Sequence, residues 1–319
     1  MYVLRGLAIC FSTFFLVYVA ISLAVILAWR GFCRHAQRHS PQLCSDLLFS
    51  LRMSPLVLAT LVTLLFAAPS FVLFEPPAVN EPMGEWLPVL AFCGIVVIAA
   101  GSWNAATALR RISKSAGRWM TGASALNEPA AQDQQVAFMR TTAVAPPLTA
   151  TGVFRAQVWL SSVAEPLLSE SELQSALRHE LVHVHRRDNL RKLFLRFVAF
   201  PGMAQLECAW REATEMAADD GAVSSALEAL DLAAAVIKLS RLAPLASATE
   251  LATSLVHSPA ESLNARVSRL LTWSESQASA PRAHWRNSAF WAAAMVVTLA
   301  LTYTHLLLRV HAATELLVR

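Results

Sequence analysis

The run His179-Glu180-Leu181-Val182-His183 carries the residue types for metal-assisted hydrolysis at a helical spacing. Imidazoles four residues apart on a helix project from one face and can share a single zinc ion. Catalytic zinc takes three protein ligands and keeps a position for water. Glu180 follows the first histidine directly, so its carboxylate stands beside that water rather than among the ligands. There it can take the water's proton and pass it to a leaving amine. Water on such a metal has a pKa near about 7, which makes hydroxide available at neutral pH. A surface helix carrying two histidines is the competing reading. His185, two residues from His183, points to a different face and reads as structural or surface.

These groups need a helix to carry them and a neighbour to complete them. Ser169-Glu170-Ser171-Glu172 reads as a capping box that opens a helix. Leu173, Leu177, Leu181 and Val184 recur along it at helical spacing. The pattern predicts one helix through His183 to about residue 200, stopped by Pro201-Gly202. A second helix is expected over 203–230. Folded back as an antiparallel hairpin, it returns Glu215 level with Asp188 and Asp219 level with Val184. At a rise of about 1.5 Å per residue, both lie within about a turn and a half of His183. Glu212 returns further away. The geometry admits Glu215 or Asp219 as third ligand and does not choose. Their i, i+4 spacing lets one bind metal while the other orients a ligand histidine. A solvated acidic helix face is the alternative. Upstream, 153–161 reads as a short extended piece with Val153, Phe154, Val158 and Leu160 apolar. It can be a strand that pairs with extended substrate, or a plain core strand.

The 319 residues are 55% hydrophobic and only 15% charged, a balance that soluble domains rarely show. Apolar residues gather in four blocks, at about 6–29, 53–74, 86–109 and 288–308. The first is longer than the apolar region of a signal peptide, and no small-residue cleavage site follows it. Arg30, Arg34, Arg38 and Arg52 fill the connection after block one, and Arg110, Arg111, Lys114 and Arg118 follow block three. Arg282 and Arg286 precede block four, whereas 75–85 holds Glu75, Glu81 and Glu85 with no Lys or Arg. Positive charge marks the cytoplasmic side, so both termini are expected outside and 110–287 inside. Arg5, Arg309 and Arg319 are minor contrary signals. The net charge of +4 thus reads as topology rather than nucleic-acid binding, and no direct nucleic-acid partner is expected. The five cysteines match neither a disulfide framework nor a paired-cysteine zinc site.

The stretch from Leu177 to Leu190, Leu-Arg-His-Glu-Leu-Val-His-Val-His-Arg-Arg-Asp-Asn-Leu, resembles the BlaR1/MecR1-type membrane metallopeptidases, peptidase family M56. Glu215-Met216-Ala217-Ala218-Asp219 is similar to the glutamate–Ala-Asp signature of that family and of the related HtpX/Ste24 peptidases. The resemblance covers roughly 110–275 and the surrounding spans. It implies that Glu215 is the third zinc ligand and Asp219 the partner of a zinc histidine, with Asp188 structural. Arg266-Val267-Ser268-Arg269-Leu270-Leu271 is similar to an Arg-Ile-x-x-Leu-like helix that follows the site in these families. In the HtpX/Ste24 group a His-Pro pair precedes that helix. Here the sequence is His257-Ser258-Pro259, one residue longer. His257 is therefore a candidate oxyanion donor, against the reading of a surface loop histidine.

The expected fold is a mainly α membrane protein with four transmembrane helices. An α+β zincin-like metallopeptidase domain is inserted between spans three and four. The expected division is a three-span region at 1–109, a cytoplasmic peptidase domain at 110–284, and a fourth helix with a short tail at 285–319. BlaR1 itself carries a penicillin-binding sensor domain after its last span. Here only about ten residues follow, so a β-lactam receptor is not expected. The expected activity is zinc-dependent endoproteolysis at the bacterial inner membrane, in regulatory signalling. Its substrate would be a cytoplasmic or juxtamembrane protein, such as a transcriptional repressor or a membrane protein, with a membrane sensor as a further partner. The alternative is a non-catalytic signalling or assembly subunit with a structural or vestigial zinc site, which would not need Glu180. A transporter is disfavoured, because no charged residue lies within the four blocks.

Overall fold

A computed structural model describes residues 2–36, 40–75, 84–125, 136–143, 145–242, 253–254, 260–273 and 302–315. The chain divides into two compact units. One comprises Met1–Phe32, Leu51–Ser102 and Pro281–Arg319; the other comprises Cys33–Ser50 and Trp103–Ala280.

The first unit is helical among its described residues. It contains most of α1 (Tyr2–Ala36), the later part of α2 (Pro41–Val62), α3 (Ala68–Phe74) and the first half of α4 (Trp86–Trp119). Three helical stretches, Tyr2–Trp29, Pro41–Phe74 and Trp86–Trp119, are long and apolar enough to cross a membrane. They coincide with the first three apolar blocks. The fourth block lies largely outside the described residues, although 302–315 is helical.

Two prolines interrupt the second stretch, and each freed carbonyl finds a new donor. Pro69 has no N–H for Leu65, four residues before it. The backbone widens there into a π turn at Thr63–Ala67, and Tyr303 donates its hydroxyl to the Leu65 carbonyl at 2.8 Å. Pro55 likewise releases Leu51, whose carbonyl accepts from the Ser54 hydroxyl at 2.8 Å. In hydrocarbon such a group must be satisfied by protein. Gly94 permits α1 and α4 to approach closely, since a Cβ there would fall 2.5 Å from the Phe11 carbonyl oxygen.

The second unit holds a five-stranded sheet and the remaining helices. The strands are β1 (Ser124–Ala125), β2 (Ala137–Thr141), β3 (Leu148–Thr151), β4 (Gln157–Ser161) and β5 (Thr253–Ser254), in the order β1-β2-β4-β3-β5. β2 and β4 run parallel, and the other pairs are antiparallel. The extended reading of 153–161 holds only for its second half, because Gly152–Arg155 form a tight turn before β4.

α5 (Glu170–His185) lies against β3 and β4 and packs on two further helices, α7 (Ala204–Ala222) and α8 (Ala226–Ser240). Its buried Leu173, Leu177 and Leu181 join Leu148, Val158 and Leu160 of the sheet and Leu232 and Val236 of α8 in one core. Burying a leucine side chain contributes about 2 kcal/mol, so this face holds the helix in register on the sheet. The expected capping box is present. Glu172 N–H donates to the Ser169 hydroxyl at 3.3 Å, and Ser169 N–H donates to the Glu172 carboxylate at 2.8 Å.

Both long helices of the sequence reading are broken. The first ends at His185 and resumes as α6 (Asp188–Phe197), with Arg187 between them at φ 54°, ψ 40°. Arg187 is the one non-glycine residue of positive φ among those described. The second ends at Ala222; Val223 is extended and Ser225 caps α8 by accepting from Glu228 N–H at 3.3 Å. The signal for that break, Ser225-x-x-Glu228, repeats the pattern at Ser169 and was legible.

Candidate metal centre

His179 and His183 sit on the buried face of α5, 0% and 2% exposed. Their rings cross edge to face, with the two Nε2 atoms 3.2 Å apart. α7 brings Glu215 to the same point, its carboxylate oxygens 3.6 Å from each Nε2. The donor atoms of the three residues lie within 4.8 Å of one another, and the group can hold a metal ion.

The opposite edges of both rings are held by carboxylates. His179 Nδ1 faces Asp219 Oδ1 at 3.0 Å, and His183 Nδ1 faces Asp188 Oδ2 at 2.7 Å. A carboxylate only accepts, so a proton on each Nδ1 is the one it favours, and each Nε2 is then left to offer a lone pair to a metal at the shared point. Two lone pairs and a carboxylate converging on one point call for a cation, either a metal or the extra proton that Glu215 and Asp188 favour on His183. This donor set fits a divalent metal and suits zinc, which takes imidazole and carboxylate ligands.

Asp188 exceeds its expected structural part. In an unbroken helix, at about 100° per residue, it would project about 140° around the axis from His183. The left-handed residue Arg187 turns the chain so that Asp188 opens α6 and reaches back to the His183 ring. Its negative charge also suits the N-terminus of α6.

No local pattern in the sequence marks Arg266 as a site residue. It belongs to α9 (Ala260–Leu271), is 1% exposed, and grips Asp219 with Nε and Nη2 at 2.8 and 2.7 Å. Its Nη1 lies 3.0 Å from Glu215 Oε2. One guanidinium thus neutralises the third donor and the partner of the first histidine together. Burial works to raise both carboxyls. For Glu215, His183 and Arg266 outweigh burial and hold it well below the ordinary glutamate range. For Asp219, Arg266 outweighs burial and holds it down at about 2.

Glu180 is fully buried and its Oε2 accepts from Ala150 N–H of β3 at 2.9 Å. Burial raises its carboxyl above the ordinary range, with Glu215 adding to the rise and the two histidines opposing it. Asn189, next to Asp188, donates to the Ala150 and Gly152 carbonyls at 3.1 and 3.3 Å, locking α6 to the end of β3. Burial lowers the Lys192 amine, one turn further along α6, against the pull of Glu215, Asp188 and Glu180. His257 lies outside the described residues.

Buried imidazoles backed by carboxylates, beside a buried glutamate and in a chain whose described residues include three membrane-length helices, describe a membrane metallopeptidase. The chain belongs to the BlaR1 peptidase M56 family, whose model matches residues 75–270. That span takes in His179, Glu180, His183, Glu215, Asp219 and Arg266. A comparison with curated proteins finds no match.

Proposed function

We propose that this protein is a zinc-dependent endopeptidase of the bacterial inner membrane that cleaves a cytoplasmic or juxtamembrane protein in regulatory signalling. Its peptidase domain is 110–284, on the cytoplasmic side between a third and a fourth span, with both termini outside. The observation that carries this reading is the convergence of His179 Nε2, His183 Nε2 and the Glu215 carboxylate, with a carboxylate facing each Nδ1 at 3.0 and 2.7 Å.

In this reading His179, His183 and Glu215 are the ligands. Zinc held there supplies Lewis-acid polarisation and a lowered water pKa. Glu180 takes the proton of the attacking water and returns it to the leaving amine. Its raised carboxyl suits that exchange, because a base works best with a pKa near the working pH. Ala150 N–H fixes the carboxylate on α5. Asp219 and Asp188 hold the ligand rings in one tautomer, and Arg266 offsets the buried negative charge.

The deciding experiment compares the full-length wild type and Glu180→Gln, purified in detergent, for zinc content and for cleavage of unfolded casein. The expected result is equal zinc in both and a loss of cleavage of roughly 10²–10⁴-fold in the variant. Removal of zinc by a chelator is expected to silence the wild type. Proteolysis that survives in Glu180→Gln would overturn the mechanism. Zinc binding without any cleavage would favour a non-catalytic signalling subunit.

A further inference from the structure

A cleft of about 780 Å³ opens beside His183, on the second unit. Its walls come from the starts of β2 and β4, from the turn that joins β3 to β4, and from the break between α5 and α6. Two arginines line it, Arg155 on the turn and Arg187 at the break. Both are exposed, and neither has an ion-pair partner among the described residues. Among the described residues, no Asp or Glu lines the cleft. The carboxylates near the metal centre are committed elsewhere, Asp188 to His183, and Glu215 and Asp219 to Arg266.

The turn that presents Arg155 is rigidly built. Gly152 has φ +91°, and a Cβ there would lie 2.0 Å from the Arg155 carbonyl oxygen, so only glycine fits. Asn189 pins the same glycine from α6. Phe154 stands 86% exposed on this turn. Arg187 is held in a left-handed conformation by the break itself. The two guanidinium groups are therefore carried by backbone whose course is set before anything binds.

We propose that this cleft is a substrate subsite that takes a peptide carboxylate, with Arg155 and Arg187 as its specificity-determining residues. The proposal rests on the peptidase reading given above. An extended peptide whose scissile bond lies at the metal centre passes His183 into this cleft. Arginine forks match carboxylates in bidentate geometry, and among the described residues no acidic side chain of the cleft competes for them. The carboxylate can be an Asp or Glu side chain or the free C-terminus of the peptide. Phe154 offers an aromatic surface to the neighbouring substrate residue.

The test uses full-length Glu180→Gln protein, loaded with zinc, in detergent. Three fluorescent peptides of one alanine-rich sequence serve as probes. The first has a central Glu with both ends blocked, the second has Gln in its place, and the third has Gln with a free C-terminus. Binding is read by anisotropy at low and high salt. One carboxylate is expected to tighten binding by about tenfold over the blocked Gln peptide, less at high salt. Whichever of the first and third peptides binds tighter identifies the source of the carboxylate. Arg155→Gln combined with Arg187→Gly is expected to abolish the preference, the glycine keeping the left-handed backbone. A preference that persists in this double variant, or that is absent from the parent, overturns the proposal. So does an outcome in which the double variant loses only its binding to phosphatidylglycerol nanodiscs, which assigns the arginines to lipid. If the carboxylate preference holds but wild type cleaves neither casein nor any of the three peptides, the peptidase reading fails and the subsite stands.

Discussion

His183 Nδ1 lies 2.7 Å from Asp188 Oδ2, across a helix break that the left-handed residue Arg187 creates. The five-residue separation is wrong for one helix and right for two. The break makes a residue five positions further along the chain into the partner of a ligand ring. Such partners fix the tautomer and raise the basicity of the imidazole.

Asp188→Asn is expected to weaken zinc binding by about 10–100-fold while leaving the fold intact. The asparagine amide can face Nδ1 as donor or acceptor and no longer enforces a proton there. Zinc affinity from chelator competition and the circular dichroism spectrum together check this. An unchanged affinity would show that Asp188 serves only the start of α6.

Arg266→Met is expected to destabilise the second unit by about 3–5 kcal/mol, the usual cost of leaving buried charges unpaired. Asp219 and Glu215 both lose their cation. Arg266→Lys should recover only part of this, because one ammonium cannot span the three contacts made by the guanidinium. Urea unfolding of the two variants against wild type measures the order.

Zinc affinity should rise with pH. Burial acts to lower the His183 pKa, but Glu215 and Asp188 raise it from 6.5 to about 10 in the metal-free protein. The extra proton stabilises that form fully below about pH 6.5, and the contribution is lost as pH climbs through about 10. Zinc competes with this proton. Metal-free protein is therefore expected to lose thermal stability between about pH 7 and 10, while zinc-loaded protein changes less. Melting curves of both forms across that window test the direction.

Arg187→Gly should be neutral or stabilising by up to about 1 kcal/mol, since glycine adopts φ 54° without a Cβ clash. Arg187→Val should destabilise by more than that, because a β-branched residue resists this conformation. A denaturant midpoint for each variant decides it. Equal midpoints would mean that the break is not held at this position.

The helix bearing His179, Glu180 and His183 was readable in the sequence because its signals are local. The capping box lies within four residues, and the imidazole spacing needs only a helical period. The first three apolar stretches were readable for the same reason, since length and composition suffice. The breaks were harder. Helical periodicity continues past His185, and a single residue at φ 54° leaves no trace in an apolar pattern, whereas the break after Ala222 is announced only by the cap pattern Ser225-x-x-Glu228. A continuous helix would carry Asp188 to a face from which it cannot reach His183.

Residue types alone decide which side chains are able to bind a metal, and a helical period decides which face carries two of them. Helical spacing left Glu215 and Asp219 equivalent. Tertiary structure separated them, because packing α7 on α5 turns Glu215 to both Nε2 atoms and Asp219 to the far edge of His179. It also brought Arg266 from a helix 47 residues beyond Asp219, and Ala150 from a strand 30 residues before Glu180. These contacts depend on the shared core of sheet, α5 and α8. Only burial of that core makes distant residues neighbours, and only burial makes their charges strong enough to set one another's protonation.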